Sequence, residues 1–589
     1  MAKYDLLIRG GELIDGLGGP RRRADVAVKD GRIAAIGSEL EADATETLDA
    51  TGLLVTPGFV DIHTHYDGQV SWDADFLPSA WHGVTTAVMG NCGVGFAPVR
   101  PADRQRLIEL MEGVEDIPGS ALAEGIDFRW ESFAEYMEAV DFPHTMDFVM
   151  QVPHDALRVY VMGDRAVAGE PATEADIAEM RRLLREALEA GAAGFSTGRS
   201  DNHKSKQGES TPAAESEGRE LAGIARAFAG LDHGVLSAVS DFDMMISPER
   251  FDAELDVLEG MAEAADGHRL SLSCMQRDHE PKQWERILAR VEAADARGVP
   301  MRVQVAPRGI GVMLGLEATF HPFMGFASYK AISQLPLAER VARMRDPETK
   351  ARMLTESSEK VSGDGSPIPP IADFFLANVD MVAMRLYRLG ENPNYEPSVG
   401  ACLMNEAMSS GRRVLDIIYG ALLEQDGHAL LYFPIYNYTG MNLDNVGKML
   451  RHPLALPGLS DGGAHVGTVC DASFPTYLLL HWGRDRAEGK LPLERLVQMQ
   501  THDTATHVGL TDRGSVELGK RADLNVIDFP GLRLLPPGMQ ADLPAGGHRL
   551  VQRAQGYRAT FVAGVKVSED GELTGARPGR LARLPRPAA

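Results

Sequence analysis

Apolar positions along this chain fall into two textures. Near both ends they form short runs punctuated by glycine turns. These are residues 4–8, 24–28 and 32–36, with Gly10-Gly11 and Asp30-Gly31 between them, and residues 522–527 and 559–567 before Asp570-Gly571. Asp-Gly flanked by apolar runs predicts hairpins. The shared texture predicts one small β-sandwich assembled from residues 1–57 and 512–589.

Residues 58–511 alternate strand-like and helix-like patterns. Eight apolar runs that stop at glycine or polar residues predict strands at 54–62, 85–89, 148–152, 192–195, 234–239, 270–275, 301–305 and 456–459. The clearest helix covers residues 174–190, with Ile177, Met180, Leu184 and Leu188 on one face. Thr173 and Asp176 match a capping box at its start, and Gly191 follows its end. The expectation is an α/β chain folded as a TIM-like (β/α)8 barrel. A doubly wound sheet is the competitor, but no G-x-G-x-x-G follows the first strand. Residues 308–451 are too long for a βα loop, so they are expected to be an insertion after strand seven that forms a lid over the mouth.

Composition narrows the partners. A length of 589 residues with 44% hydrophobic and 24% charged content is ordinary for a soluble protein of more than one domain. A formal charge of −25 argues against nucleic acid or an anionic membrane. Cys92, Cys274, Cys402 and Cys470 follow no disulfide framework spacing, which points to a reducing compartment. Without a visible signal segment or membrane-length apolar run, the expected location is cytoplasmic. The last fifteen residues carry Arg577, Arg580, Arg583 and Arg586 and no acid, and should be frayed or docked.

In a barrel of this kind the chemistry gathers at the C-terminal ends of the strands. Strand one ends in His63-Thr64-His65, after a Pro57-Gly58 bend. The period-2 alternation of a strand sends both imidazoles to one side, where they can hold one metal ion, most naturally zinc. Strand two leads to Asn91-Cys92-Gly93, strand three to His154, and strand four to Ser196-Thr197-Gly198-Arg199. Strand five ends at Ser240 and Asp241, strand six at Cys274 and Gln276, strand seven at Arg308, and strand eight at Ser460-Asp461-Gly462-Gly463-Ala464-His465. Asp461 can move a proton as general base and then general acid, or can instead cap a helix. Cys92 can be a zinc thiolate or a small buried hydrophobe. Cys402 and Cys470 read as packing residues.

These residues resemble the amidohydrolase superfamily, and within it the N-acyl-D-amino-acid deacylase (D-aminoacylase) family. Pro57-Gly58-Phe59-Val60-Asp61-Ile62-His63-Thr64-His65 is similar to the superfamily's strand-one signature. Gly83-Val84-Thr85-Thr86, followed by Gly90-Asn91-Cys92-Gly93, resembles the deacylase pattern, whose cysteine is a metal ligand. His154, the segment Gly191-Ala192-Ala193-Gly194-Phe195-Ser196-Thr197-Gly198 and Gly519-Lys520-Arg521-Ala522-Asp523 continue it nearly end to end. Departures fall where the family carries metal-binding histidines after strands five and six. Here Leu236-Ser237-Ala238-Val239-Ser240 and Ser271-Leu272-Ser273-Cys274-Met275-Gln276 contain none. Gln276 stands where the family has a substrate-holding lysine, and His465-Val466-Gly467-Thr468-Val469-Cys470 replaces an arginine-bearing segment.

The resemblance implies a metal-dependent hydrolase of an amide C–N bond, acting on a small molecule. One zinc ion would be held by His63, His65 and Asp461, with Cys92 as fourth ligand. Asp461 would be the catalytic acid–base. His465 would either donate to the oxyanion or pack at the rim. Arg199 would replace the lost carboxylate clamp or be a surface residue near Asp201. His154 and Gln276 complete the candidate substrate contacts. The alternatives are a cyclic or carboxylate-free amide as substrate, or a degenerate relative that only binds ligand. Homo-oligomerisation is left open.

Overall fold

The computed structural model describes residues 2–200, 202–240, 250–362, 368 and 371–585. Asp201, Asp241, Arg586 and most of the turn-rich stretch 362–370 lie outside the described residues. Eight parallel strands form one sheet in chain order: Phe59–Asp61, Val84–Met89, Asp147–Pro153, Gly194–Arg199, Val235–Ser240, Arg269–Ser273, Met301–Val305 and Ala455–Pro457. They are called strands one to eight below. Strand eight returns to strand one through the parallel bridge Thr64–Gly462 and the bonds Asp461 N–H to His63 O (3.1 Å) and His65 N–H to Gly462 O (2.7 Å). That closure makes the sheet a TIM-like barrel and stitches the two segments that carry the candidate chemistry to each other.

The apolar run 54–62 is not one strand. Leu54–Pro57 pairs antiparallel with Leu524–Ile527 in a sheet formed by the chain ends, and only Phe59–Asp61 enters the barrel. The break falls at Gly58 because a Cβ there would lie 2.2 Å from Thr85 Oγ1 on strand two. The terminal sheet has nine strands and draws on both ends of the chain. Residues 559–567 likewise divide, into Tyr557–Val562 and Val565–Glu569, around a turn in which Ala563 and Gly564 take positive φ.

The helix Glu174–Glu189 follows its sequence pattern. Its Thr173–Asp176 capping box forms in both directions, and Ile177, Met180, Leu184 and Leu188 are buried. The arginine-bearing tail is docked: Gly579 and His144 exchange backbone bonds (2.8 and 3.0 Å), Ala582 N–H reaches Phe148 O (2.7 Å) and Arg583 pairs with Glu138 (2.9 Å).

Between strands seven and eight the chain builds a three-stranded antiparallel sheet from Ile310–Leu314, Leu431–Tyr436 and Tyr387–Arg388, with helices and a core of its own. This insertion bonds to the loop after strand eight, through Met313 N–H to Thr468 O (2.7 Å) and Thr319 N–H to Gly467 O (3.0 Å). It therefore contacts the face where the strand ends gather. Among the described residues, no helix is long and apolar enough to cross a membrane.

A candidate metal centre at the barrel mouth

His63 and His65 leave strand one on the same side, and Cys92 approaches them from the loop after strand two. Cys92 Sγ lies 3.3 Å from His63 Nε2 and 3.8 Å from His65 Nε2. Among the described residues, the tight metal-capable group is His63, His65 and Cys92, with all donor atoms within 4.8 Å of one another. A tetrahedral ion with ~2.0–2.3 Å bonds spaces nitrogen and sulfur donors by roughly 3.3–3.6 Å, so this set fits zinc. Asp461 Oδ1 adds a carboxylate 3.3 Å from His63 Nε2 and 3.7 Å from His65 Nε2. No helix starts at Asp461, so the capping alternative falls.

The backbone around these groups is strained in a consistent way. Cys92 (φ 53°), Leu459 (φ 59°), Asp461 (φ 48°) and His465 (φ 47°) all take left-handed conformations. Each such residue costs about 1–3 kcal/mol, and such residues cluster at working sites. Neighbours hold them in place. A Cβ on Gly198 would come within 2.1 Å of Cys92 O, so only glycine lets strand four approach the cysteine loop so closely. Asn91 Nδ2 donates to Thr64 O (3.1 Å) and Val88 O (2.9 Å), while Gln151 Nε2 donates to Asn91 Oδ1 (3.0 Å). Gly93 N–H donates to Ser196 Oγ (3.1 Å).

His63 and Asp461 are in the state that ligates a metal, whereas His65 and Cys92 would each have to give up a proton to do so. Gln304 Nε2 donates to Ser271 Oγ (2.9 Å), which turns Gln304 Oε1 towards His63 Nδ1 at 2.8 Å. His63 therefore carries its proton on Nδ1 and presents a bare Nε2 to Cys92 and Asp461. Burial pushes His63 down to about 4. At His65 burial acts the same way but is outweighed by Glu115, Cys92 and Asp461, which raise its pKa above the histidine range. Burial pushes the Cys92 thiol up to about 12, so a thiolate there needs a cation beside it. Burial also opposes the Asp461 charge, but the His65 hydrogen bond and the His63 and His65 charges hold it below the usual carboxylate range.

Other sequence candidates stand elsewhere. His154 is fully buried, with Nδ1 on Thr197 Oγ1 (2.9 Å) and Nε2 on Glu220 Oε1 (3.0 Å), so both ring nitrogens are engaged by protein. Arg199 does not face a substrate as expected. Its Nε and Nη2 bond both oxygens of buried Glu254 (2.6 and 2.9 Å), and Nη1 donates to Ser216 O (2.7 Å). A guanidinium near a buried carboxylate takes that partner first. Gln276 is pinned to the insertion by Asn437, through N–H to Asn437 Oδ1 (2.7 Å), and its Nε2 donates to Pro281 O (3.3 Å). His465 turns Nε2 towards Glu115 Oε2 at 3.5 Å, with its side chain 30% exposed. Cys274 is fully buried against Met449 Sδ (3.8 Å), away from any ligand cluster among the described residues. Cys470 packs beside Tyr395 and Arg308, and Cys402 is buried in the core, as expected of packing residues.

Two functional neighbours escaped the sequence reading, Gln304 and Glu115. Gln304 lies within strand seven rather than at its end, and its signal in the sequence is a polar residue inside an apolar strand. Glu115 ends the helix Arg104–Glu115 and extends the stripe Leu107–Met111, an acid where the pattern calls for an apolar residue.

Taken together, the closed barrel and its histidine–cysteine–carboxylate mouth define a barrel enzyme scaffold with a candidate metal site at its mouth. The chain belongs to the amidohydrolase family, whose model matches residues 46–366 and 427–567. It is 29% identical over 582 residues to the D-aminoacylase of Alcaligenes xylosoxydans xylosoxydans, covering 98% of this chain and 97% of that one. The N-acyl-D-glutamate deacylase of the same organism is 33% identical over 316 residues, which is 52% of this chain and 57% of that one. A solved D-aminoacylase structure, described for a binuclear metal centre with one-metal activation and second-metal attenuation, superposes with a TM-score of 0.62 at 25% identity, over 98% of this chain and 99% of that one. Over nearly its full length the chain is thus similar to D-aminoacylases, as a divergent relative.

Proposed function

We propose that the protein is a metal-dependent hydrolase of a small-molecule amide C–N bond, of the kind that acts outside peptides. The convergence of His63, His65, Cys92 and Asp461 at one point of the barrel mouth carries this reading. These residues would hold one zinc ion. When bound, such an ion polarises a carbonyl and lowers the pKa of water towards ~7. The protein's own work is then proton handling. Asp461, kept ionised by the two imidazoles, accepts the proton of the attacking water and returns it to the leaving amine. His63, oriented by Gln304, keeps its lone pair on the reacting side. Strands five and six carry no histidine, and among the described residues the tight ligand group is His63, His65 and Cys92, which favours one ion over two.

The relatives named for N-acyl-D-amino acids suggest the substrate class, but one observation favours a carboxylate-free or cyclic amide. Among the arginines that follow barrel strands near the mouth, Arg199 is held by both oxygens of Glu254 and Arg277 bonds Gln283 (2.8 Å), while Arg308 pairs with Asp471 through Nη2 (2.7 Å) and keeps Nε and Nη1 without a partner among the described residues. Residues 241–249 contain no lysine or arginine. Met275, Ala306, Leu459 and Phe474 make a small apolar cluster on that side. We read residues 1–57 and 512–589 as a small sandwich, residues 58–511 as the barrel, and residues 308–451 as its lid. Four free, buried thiols support a reducing, cytoplasmic setting.

The test is a panel of N-acetyl-D-amino acids, their uncharged amides and cyclic amides, assayed with the zinc-loaded protein. Turnover confined to the carboxylate-free compounds supports the second substrate reading. Turnover confined to N-acetyl-D-amino acids overturns it and leaves the deacylase reading. No hydrolysis of any compound favours the ligand-binding alternative.

A further inference from the structure

Glu115 is 1% exposed, and neither of its carboxylate oxygens makes a hydrogen bond with any described residue. Leaving a charged group buried in that state costs about 1–3 kcal/mol or more. It also ends a twelve-residue helix, where the helix dipole disfavours an anion. Neither cost has a return in packing. What the position does provide is contact with two imidazoles: Oε1 lies 3.3 Å from His65 Nδ1, and Oε2 lies 3.5 Å from His465 Nε2. The placement is enforced from both sides. The His465 backbone N–H donates to Glu115 O. Asp116, next in the chain and left-handed at φ 51°, accepts from Thr319 Oγ1 (3.1 Å), Gly467 N–H (3.3 Å) and Thr468 Oγ1 (3.3 Å). One carboxylate of the Glu-Asp pair thus anchors the insertion and the strand-eight loop, and the other is planted behind a metal-type ligand.

We propose that Glu115 is the positioning residue of this centre. Its carboxylate takes the Nδ1–H of His65, which directs Nε2 towards Cys92 and Asp461 as the nitrogen that would ligate once its proton is displaced, and its second oxygen sets the ring of His465 at the mouth. Gln304 does the same for His63 with a neutral amide, so the two ligand histidines differ: His65 has an anionic backing and is the stronger donor. The inference rests on the metal reading of the site.

The experiment measures zinc affinity by competition with a chromophoric chelator, and melting of the metal-free protein, for the wild type, Glu115→Gln and Asp116→Asn. Glu115→Gln is expected to weaken zinc roughly 10–100-fold, as loss of a carboxylate behind a histidine ligand does. Its metal-free form should melt close to the wild type, because a neutral amide at that position can still accept the His65 Nδ1–H. Asp116→Asn should bind zinc within about twofold of the wild type, since Asp116 touches neither imidazole. With cobalt in place of zinc, the visible bands of Glu115→Gln should shift as His65 becomes a weaker donor. Unchanged zinc affinity in Glu115→Gln overturns the proposal, as does a melting temperature that falls together with affinity, which marks a merely structural residue. If the wild type binds no zinc, the metal reading fails and this inference fails with it.

Discussion

Two clusters of buried charge can be compared within this molecule. At the junction of the barrel with the terminal sheet, Arg513 donates to Asp147 Oδ2 (2.7 Å), Thr86 Oγ1 (2.8 Å) and Asp512 Oδ1 (3.0 Å). Arg521 lies beside it, bonded to Asp147 (3.1 Å) and Asp523 (3.1 Å). Every acid there meets a guanidinium. At the mouth, Glu115 and Asp461 face imidazoles and a thiol, with no arginine or lysine among their described ion-pair partners. The first cluster is electrostatically complete and holds two parts of the fold together. The second is short of positive charge, and a divalent cation is what would complete it. At the mouth both oxygens of Glu115 and Nδ1 of His65 are buried without a hydrogen bond, beside the candidate ligands, which marks it as a place for a further group.

The comparison can be broken most severely at the mouth. His63→Ala should abolish both metal retention and hydrolysis, whereas Cys274→Ser should leave the metal in place; metal analysis after dialysis distinguishes the two. Asp461→Asn should lower turnover by ~10²–10⁴, the usual size of a general acid–base contribution, with the fold retained. At the junction the same kind of surgery should act on stability alone. Arg513→Met removes the guanidinium that Asp147, Asp512 and Asp523 share, leaving Arg521 to Asp147 and Asp523, and should cost about 3–5 kcal/mol in denaturant unfolding, with metal content per folded molecule unchanged. A junction variant that lost metal but kept its stability would erase the distinction drawn above.

Smaller effects sharpen it. Arg199→Ala should cost about 1–3 kcal/mol, because Glu254 loses both guanidinium bonds and keeps Ser240 Oγ (3.0 Å), while KM for any active substrate stays put. A raised KM would return Arg199 to the substrate. Zinc affinity should rise with pH. The Cys92 thiol, pushed up to about 12 by burial, is protonated at neutral pH in the metal-free protein and must lose that proton to ligate. Each proton displaced gives about a tenfold gain in affinity per pH unit below that value. Calorimetry in buffers of different ionisation enthalpy would count the protons released, and a count of zero would remove Cys92 from the ligand set.

Much of this was legible from pattern alone. The barrel strands, the capping box at Thr173 and the cluster of His63, His65 and Cys92 all follow from local periodicity and strand-end logic. What was not legible depends on long-range neighbours. Gly58 splits an apolar run only because Thr85 lies against it. Arg199 reads as a free strand-end cation until Glu254, on a helix 55 residues further on, meets it. His154 looks like a site histidine until Thr197 and Glu220 occupy both its nitrogens. Glu115 is invisible as a site residue because nothing local to its helix explains an acid in the apolar stripe; only the fold puts it beside His65.

The reading of the mouth as a one-ion amide hydrolase requires that His63, His65, Cys92 and Asp461 hold a single ion while Asp461 moves the proton. Stripping the protein with a chelator and returning zinc stepwise, while following amine release, tests this most directly. The account predicts that turnover climbs linearly and levels at one equivalent, and that Asp461→Asn takes up the same equivalent without turnover. Full turnover in the stripped protein, or near-normal turnover by Asp461→Asn, would contradict it.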